Sequence, residues 1–408
     1  MALRNQHGVK FALISHVLPP SESGQAVALY RLLRGLDPHC YCLMSRENYT
    51  PKIGKEDASP RLNASYYHFA PTFGANYLRR LGLSGVGNWL QTIHRARQIS
   101  RIVRRERFGA IVSCSGDLFD LPAGYLASRW AKVRFYAYLF DDYLHQWIEP
   151  LEQCFAKKWE KILIEGATGV IAPNEFLAEA YGHRYGMKPT VIHNPCEEFG
   201  NGSRYNETWS IHPREIKIVY TGAIYHAHFD AFRNLLVALR EMKQPEIKLH
   251  LYTSQSPFDL ERQNIQGPVV FFPHLPVSKV AQVQQQADIL FLALAFHSPF
   301  PEVIKTSAPG KMGEYLASGR PVLVHAPSDS FLSWYFKENG CGLVVERDEP
   351  AALGHAIERL LQEGALRETL VRNAIRCAKR DFSSTKAQTD FLRLFQPMMG
   401  GEICASSS

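Results

Sequence analysis

Short runs of consecutive apolar residues alternate along this chain with longer stretches in which apolar residues recur every three or four positions. The first run, VKFALIS at 9–15, predicts a buried strand. A turn-rich segment follows, Pro19-Pro20-Ser21-Glu22-Ser23-Gly24, and then a helix expected over 25–36. Further strand runs lie at 40–44, 110–114, 133–139, 169–172 and 190–193, with helices expected at 121–130, 147–165 and 174–185. The alternation then restarts. IKIVYT at 216–221 is followed by Gly222 and a helix at 229–242, and strands are expected at 247–253, 269–272, 289–293, 321–325 and 342–345. Strands that are apolar throughout and separated by helices are buried on both faces, the pattern of a parallel sheet covered by helices. The fold class is therefore α/β, with two Rossmann-like, doubly wound parallel-sheet domains facing a cleft. The first spans 1–196. A polar linker rich in Gly, Ser and Asn covers 197–215 and the second domain spans 216–380. A helix at 381–398 is expected to pack back on the first domain, and 399–408 reads as a frayed tail.

Composition narrows the classes. Of 408 residues, 46% are hydrophobic and 21% charged, values of an ordinary globular chain and unlike a disordered or fibrous one. Lysines and arginines exceed acids by 46 to 39, and the net charge of +7 suits an anionic partner such as a nucleotide, a phosphate or a membrane surface. The eight cysteines are scattered with no CxxC pair, which argues against a zinc ribbon or a disulfide framework and for a reducing, cytoplasmic setting. No stretch reaches about 18 apolar residues, so no transmembrane helix is expected. No D-x-D triplet stands near the strand ends and no His/Cys/Asp cluster has metal spacing, so neither metal nor cofactor is expected.

Ligands of open α/β sheets bind beyond the carboxyl ends of the strands, which directs attention to the residues after each run. The segment 300–326, FPEVIKTSAPGKMGEYLASGRPVLVHA, is the richest. Pro309 and Gly319 bracket an expected helix over 309–318, whose N-terminal N–H groups and dipole suit a phosphate. Ser307 adds a hydroxyl. Lys311 and Glu314, three apart, share a face, and the carboxylate is suited to vicinal ribose hydroxyls. The plain alternative is a solvated surface helix with a weak Lys311–Glu314 pair. After another strand stands FDDYLHQW at 140–147, where Asp141 or Asp142 is a candidate general base and Asp142 equally suits a helix N-cap. Asp117 and Asp120, after the strand at 110–114, are second choices. Gly24 allows backbone approach to a bound phosphate or to a second substrate, or simply a tight turn.

The segment resembles the donor-binding signature of GT-B glycosyltransferases, family 4 above all. Glu314 to Val322 matches the family's E-x-x-A-x-G-x-P-V run, and Thr306 to Pro321 resembles T-S-x-P-x-K-x-x-E-Y-x-A-S-G-R-P of polysaccharide-building members. VIHNP at 191–195, Ile218 to Gly222, Ala287 to Leu294 and the closing helices at 353–382 are also similar. The resemblance implies a nucleotide-sugar donor held by Gly24, Gly222, His226, Thr306, Ser307, Lys311 and Glu314, with Lys311, Asp141 and Asp142 carrying the catalysis. Two departures stand out. Thr306 occupies the place eight residues before Glu314 where the family has a glutamate, with Glu302 out of register. Gly222-Ala223-Ile224-Tyr225-His226-Ala227-His228 lacks the family's arginine and lysine, so diphosphate neutralisation falls on Lys311 assisted by His226 or His228.

A basic stretch completes the picture. Between 79 and 107, Arg79, Arg80, Arg95, Arg97, Arg101, Arg104, Arg105 and Arg107 face one acid, Glu106, and are interleaved with Leu81, Leu83, Val86, Trp89, Leu90 and Ile93. It reads as an interfacial helix on anionic lipid or as a helix packed on the sheet with a solvated arginine face. The resemblance favours the first, since many such enzymes elongate lipid-linked sugars at the cytoplasmic leaflet; it implies a peripheral protein on the inner membrane face. No nucleic-acid motif accompanies the arginines. The leading function is sugar transfer from a nucleotide-diphosphate sugar to a lipid-linked or polysaccharide acceptor. The alternatives are a UDP-sugar epimerase of the same architecture and a non-catalytic scaffold.

Overall fold

The computed structural model describes residues 10–49, 60–72, 83–197 and 215–396. Arg79, Arg80, the interior of the expected linker and the tail lie outside the described residues.

The first sheet contains β1 (Phe11–Ile14), β2 (Tyr41–Ser45), β3 (Ser65–His68), β4 (Ala110–Cys114), β5 (Arg134–Tyr138), β6 (Gly169–Ala172) and β7 (Thr190–Val191). Their order is β3-β2-β1-β4-β5-β6-β7. The second contains β8 (Ile216–Thr221), β9 (Ile247–Thr253), β10 (Val269–Pro273), β11 (Ile289–Ala293), β12 (Val322–His325) and β13 (Leu343–Val345), ordered β10-β9-β8-β11-β12-β13. Every neighbouring pair is parallel. Alternate residues serve opposite faces, as the pleat requires. Ala12, Ile14, Cys42 and Met44 join one core, while Phe11, Leu13, Tyr41 and Leu43 join the other. Both sheets reverse their strand order at the centre, between β1 and β4 and between β8 and β11. Crevices at such switch points are where doubly wound sheets bind ligands.

Several expectations move at the edges. The run at 40–44 becomes β2 only from Tyr41, because Asp37 caps a short 3-10 turn, Pro38–Cys40, by accepting from the His39 N–H at 3.0 Å. The half-exposed edge strand β3 has no apolar run to announce it and was not foreseen. The helix expected from 147 starts at Pro150, whose missing N–H is harmless at the first helical position.

The main correction concerns 300–318. One helix from Pro309 is replaced by two short ones, Pro301–Thr306 and Met312–Ala317. Ser307 is extended (φ −71°, ψ 129°), and Ala308, standing before proline, is disfavoured in the helical region. The Pro309 carbonyl then closes a turn by accepting from Met312 N–H at 2.9 Å.

The chain crosses back after the second domain. Cys196 N–H donates to Phe382 O at 2.9 Å, and the final helix, Ser384–Arg393, lies on the first sheet. Its Phe391 and the following Phe395 stand 5.5 and 5.1 Å from the Phe11 ring. Tyr136 Oη donates to Leu394 O at 2.8 Å. Burying each phenylalanine contributes about 1.5–3 kcal/mol to joining the last segment to the first domain.

Candidate donor site in the interdomain cleft

The two carboxyl edges face one another, and short contacts cross between them. A Cβ placed on Gly310 would lie 4.0 Å from Gly24 Cα, so two glycine backbones meet across the cleft. Glu22, in the loop before the Gly24–Leu33 helix, pairs with His274 at 3.2 Å, and Asn174 Nδ2 donates to Thr306 O at 2.8 Å.

Gly222 follows β8 with φ +120°, a conformation that side chains avoid. A Cβ there would also lie 3.4 Å from both Lys311 Cε and Nζ, so the glycine makes room for the lysine. Lys311 Nζ donates to Tyr220 Oη at 2.9 Å and sits 4.3 Å from that ring's centroid, a cation–π contact. Burial lowers its pKa, while Tyr315 and Glu314 partly oppose the shift. A desolvated cation beside a left-handed glycine at the switch point is primed for an anion.

Glu314 lies across an interdomain cavity of about 270 Å³ lined by Tyr30, Arg31, Arg34, Glu197 and Gln284 among others. Both its carboxylate oxygens have partners. Oε1 accepts from Arg31 Nη2 of the first domain at 2.5 Å, and Oε2 accepts from Gln284 Nε2 at 3.0 Å. Arg31 also donates to Pro195 O at 3.2 Å and is nearly buried. Sequence reasoning missed Arg31: it stands among leucines in YRLL, and only tertiary contact reveals its partner.

The remaining predicted residues divide. Ser307 is half-buried between the two short helices, and Gly24 opens the Gly24–Leu33 helix with nothing within 4 Å of a would-be Cβ. The buried Thr306 hydroxyl donates to Glu302 O at 2.9 Å, so it closes its own helix instead of facing a donor. His226 Nδ1 is buried without a hydrogen-bond partner, its ring 5.2 Å from Phe300. His228 is held neutral, its pKa driven well below the usual value by burial and then by Lys311 and His226, so it does not assist with charge.

On the opposite wall Asp141 and Asp142 separate sharply. Asp142 is buried in an ion-pair network: Arg184 and His145 bind its carboxylate, the latter at 3.1 Å, and Arg184 continues to Glu160 at 3.1 Å. Desolvation would raise its pKa, but these partners lower it. Its Oδ1 accepts from Leu144 N–H at 3.1 Å, closing a turn and not capping a helix, since the next helix begins only at Pro150; with its carboxylate held by these partners it is not free to act as a base. Asp141 is open to solvent yet walled by protein; desolvation, then the Asp142 charge, push it up to about 7. Its charge in turn raises the Tyr225 hydroxyl of the second domain, after burial. Asp117 and Asp120 are likewise spent, both bound by the buried Arg95, with Asp117 at 2.6 Å.

Arg95 therefore leaves the basic patch. Within the Ser84–Arg105 helix, Asn88, Thr92, Arg95, Ile99 and Val103 face inward, while Arg97, Arg101, Arg104 and Arg105 are exposed. Arg104 donates to Trp130 O and Arg105 pairs with Glu106 at 2.8 Å. Leu83, Val86, Trp89 and Leu90 are exposed at the helix start, with Trp89 leaning on Trp159 at 5.3 Å. No helix among the described residues is long and apolar enough to cross a membrane, and none of their His, Cys, Asp and Glu form a group of three suited to a metal.

Two family models match the chain: Glycosyltransferase Family 4 over residues 23–197 and Glycosyl transferases group 1 over residues 215–363. No curated protein matches it. Among solved structures, HepE of Anabaena in complex with UDP and glucose is similar over 94% of this chain and 98% of its own, with 14% identity and a TM-score of 0.63. Sucrose-phosphate synthase of Thermosynechococcus elongatus shares 16% identity over 94% and 98% of the two chains at a TM-score of 0.66. A glycosyltransferase of Rickettsia africae shares 14% over 95% and 98%, also at 0.66. With both domains matched in order and the GT-B architecture in common, the chain belongs to the group 1, family 4-like GT-B glycosyltransferases.

Proposed function

We propose that this glycosyltransferase moves a sugar from a nucleotide-diphosphate sugar to a lipid-linked or polysaccharide acceptor in the building of surface glycans. The observation that carries the reading is the Lys311 amine, desolvated beside the left-handed Gly222 at the switch point, with Glu314 three residues on. Lys311 neutralises the diphosphate as the bond from the anomeric carbon to the phosphate oxygen breaks, where charge develops. Glu314 accepts from the ribose hydroxyls. Asp141, across the cleft, takes the acceptor hydroxyl proton as the new glycosidic bond forms in an inverting course, and orients that hydroxyl in a retaining one. The donor phosphates rest on Lys311 rather than on a metal. UDP is the first nucleotide to test, because HepE of Anabaena binds it. The exposed arginines and the apolar start of the Ser84–Arg105 helix support an acceptor presented at an anionic membrane.

The test is nucleoside diphosphate release from UDP-, GDP- and ADP-sugars, with and without a lipid-linked acceptor and with EDTA. Acceptor-dependent release that survives EDTA supports the reading. Release without acceptor, accompanied by an epimerised sugar, replaces it with the epimerase. Nucleotide binding with no turnover on any acceptor leaves a scaffold.

A further inference from the structure

Glu314 sits where elements of both domains converge, and its surroundings suggest more than a ribose acceptor. One oxygen takes Arg31 from the first domain, the other takes Gln284 from the second. Gln284 also donates to Thr221 Oγ1 at 3.3 Å, and Thr221 N–H donates to Tyr315 Oη at 3.0 Å. The chain of contacts therefore ends at the residue before Gly222, beside the lysine. Arg31 is held on its own side by Pro195 O, and its backbone carbonyl accepts from Gln388 Nε2 at 3.1 Å. The Arg31 side chain is 5% exposed and that of Glu314 18%. Each carboxylate oxygen has two acceptor directions. With one on each oxygen taken, the second on each remains for the two hydroxyls of a vicinal diol, and the carboxyl plane is fixed.

We propose that Arg31 is a positioning residue of the donor site: from the opposite domain it holds the Glu314 carboxylate oriented for the nucleotide's ribose diol, and so ties donor affinity to approach of the two domains. This rests on the assignment of Glu314 to the ribose. Because Arg31 reaches Glu314 only when the domains are together, its contact and nucleotide binding reinforce one another, and such coupling is reciprocal. Arg31 touches no reacting atom, so its loss acts on donor binding and not on the chemical step.

The experiment measures binding of UDP, GDP and ADP by calorimetry, and donor KM and kcat, for wild type, Arg31→Met, Arg31→Lys, Glu314→Gln and the Arg31→Met/Glu314→Gln double variant, with thermal melts of each. The expected result is a rise of roughly tenfold or more in nucleotide Kd and donor KM for Arg31→Met, with kcat at saturating donor within about twofold of wild type. Arg31→Lys, which keeps the charge without the fork, falls between them. The double variant is expected to bind no more weakly than the worse single one, since both act through one carboxylate. Should Arg31→Met fail to fold, Arg31→Lys decides alone: wild-type nucleotide affinity overturns the proposal, and weakened affinity with unchanged kcat sustains it. Additive losses, or a folded Arg31→Met that binds as tightly as wild type while Glu314→Gln does not, overturn the proposal and leave the donor site standing. If Glu314→Gln also binds like wild type, or wild type binds none of the three nucleotides, the ribose assignment itself falls and Arg31 with it.

Discussion

At the scale of single residues, the cleft separates groups that look alike in sequence. Asp141 and Asp142 are neighbours, yet Arg184 and His145 bind one while the other faces the second domain with its carboxyl pushed up to about 7. A base must be ionised to work, so kcat/KM is expected to rise as pH increases through about 7. The buried Lys311 loses its proton below the ordinary lysine value, which brings the alkaline limb down. A profile flat across neutral pH would remove Asp141 from the base role. Asp141→Asn should lower kcat by about 10²–10⁴-fold, while Asp142→Asn should act mainly through lowered thermal stability. Lys311 and Glu314 are expected to split differently. Lys311→Ala should reduce kcat by roughly 10²-fold or more, since the charge it meets develops in the transition state. Glu314→Ala should raise donor KM at a cost of about 1–3 kcal/mol, with Glu314→Gln milder. Steady-state kinetics of the three variants checks the division. Wild-type turnover in both alanine variants would move the donor site elsewhere.

Among the elements, the Ser84–Arg105 helix shows how one stripe of side chains serves two ends. Its inward face carries Arg95 onto Asp117 and Asp120, burying a cation between two carboxylates. Burial and then Asp117 raise Asp120 to about 7, so part of that cluster's stability is already sensitive to pH. Arg95→Met strands the two acids together and should cost about 3–5 kcal/mol, as broken buried pairs do. With the arginine gone, the folded protein holds a proton there that the unfolded chain releases at lower pH, so the variant should lose further stability as pH rises from 5 to 8. Urea melts at both pH values read this directly. The outward face is a separate matter. Arg101, Arg104 and Arg105 changed together to Glu should abolish sedimentation with phosphatidylglycerol vesicles, and added salt should weaken the wild-type interaction. Equal binding of wild type and triple variant to neutral vesicles would refute a membrane role for this face.

For the whole molecule, the final helix fastens the second domain's chain to the first sheet. Phe391 is fully buried against Phe11 and Phe395. Phe391→Ala should destabilise by about 3–5 kcal/mol, read from denaturant melts of the first domain's unfolding. If only the second domain's transition moves, the helix does not hold the first domain. The same crossing, with Cys196 bonded to Phe382 and Ser384 Oγ donating to Cys196 O at 3.0 Å, sits near the Arg31 contact, since Gln388 on that helix donates to Arg31 O. Cleft geometry and chain termination are thus built from the same residues.

The apolar runs by themselves determined the two parallel sheets, because a strand buried on both faces needs side chains that are apolar on both, and that is a local property of composition. The resemblance around Lys311 and Glu314 could be read for a similar reason: Pro309, Gly319 and the residues between them are close in sequence. Even so, Pro309 did not start the helix, since the turn at 309–312 and the extended residues before it depend on how the two short helices pack. The edge strand β3 was hidden because its SYYH faces are half-exposed and carry no alternation. Which of Asp141 and Asp142 is spent, that Arg95 turns inward, and that Arg31 reaches Glu314 from 283 positions away were decided only by the tertiary structure. Ion pairs between distant segments leave no periodic trace; their partners are chosen by burial, which makes an unpaired charge costly and exists only once both domains have folded.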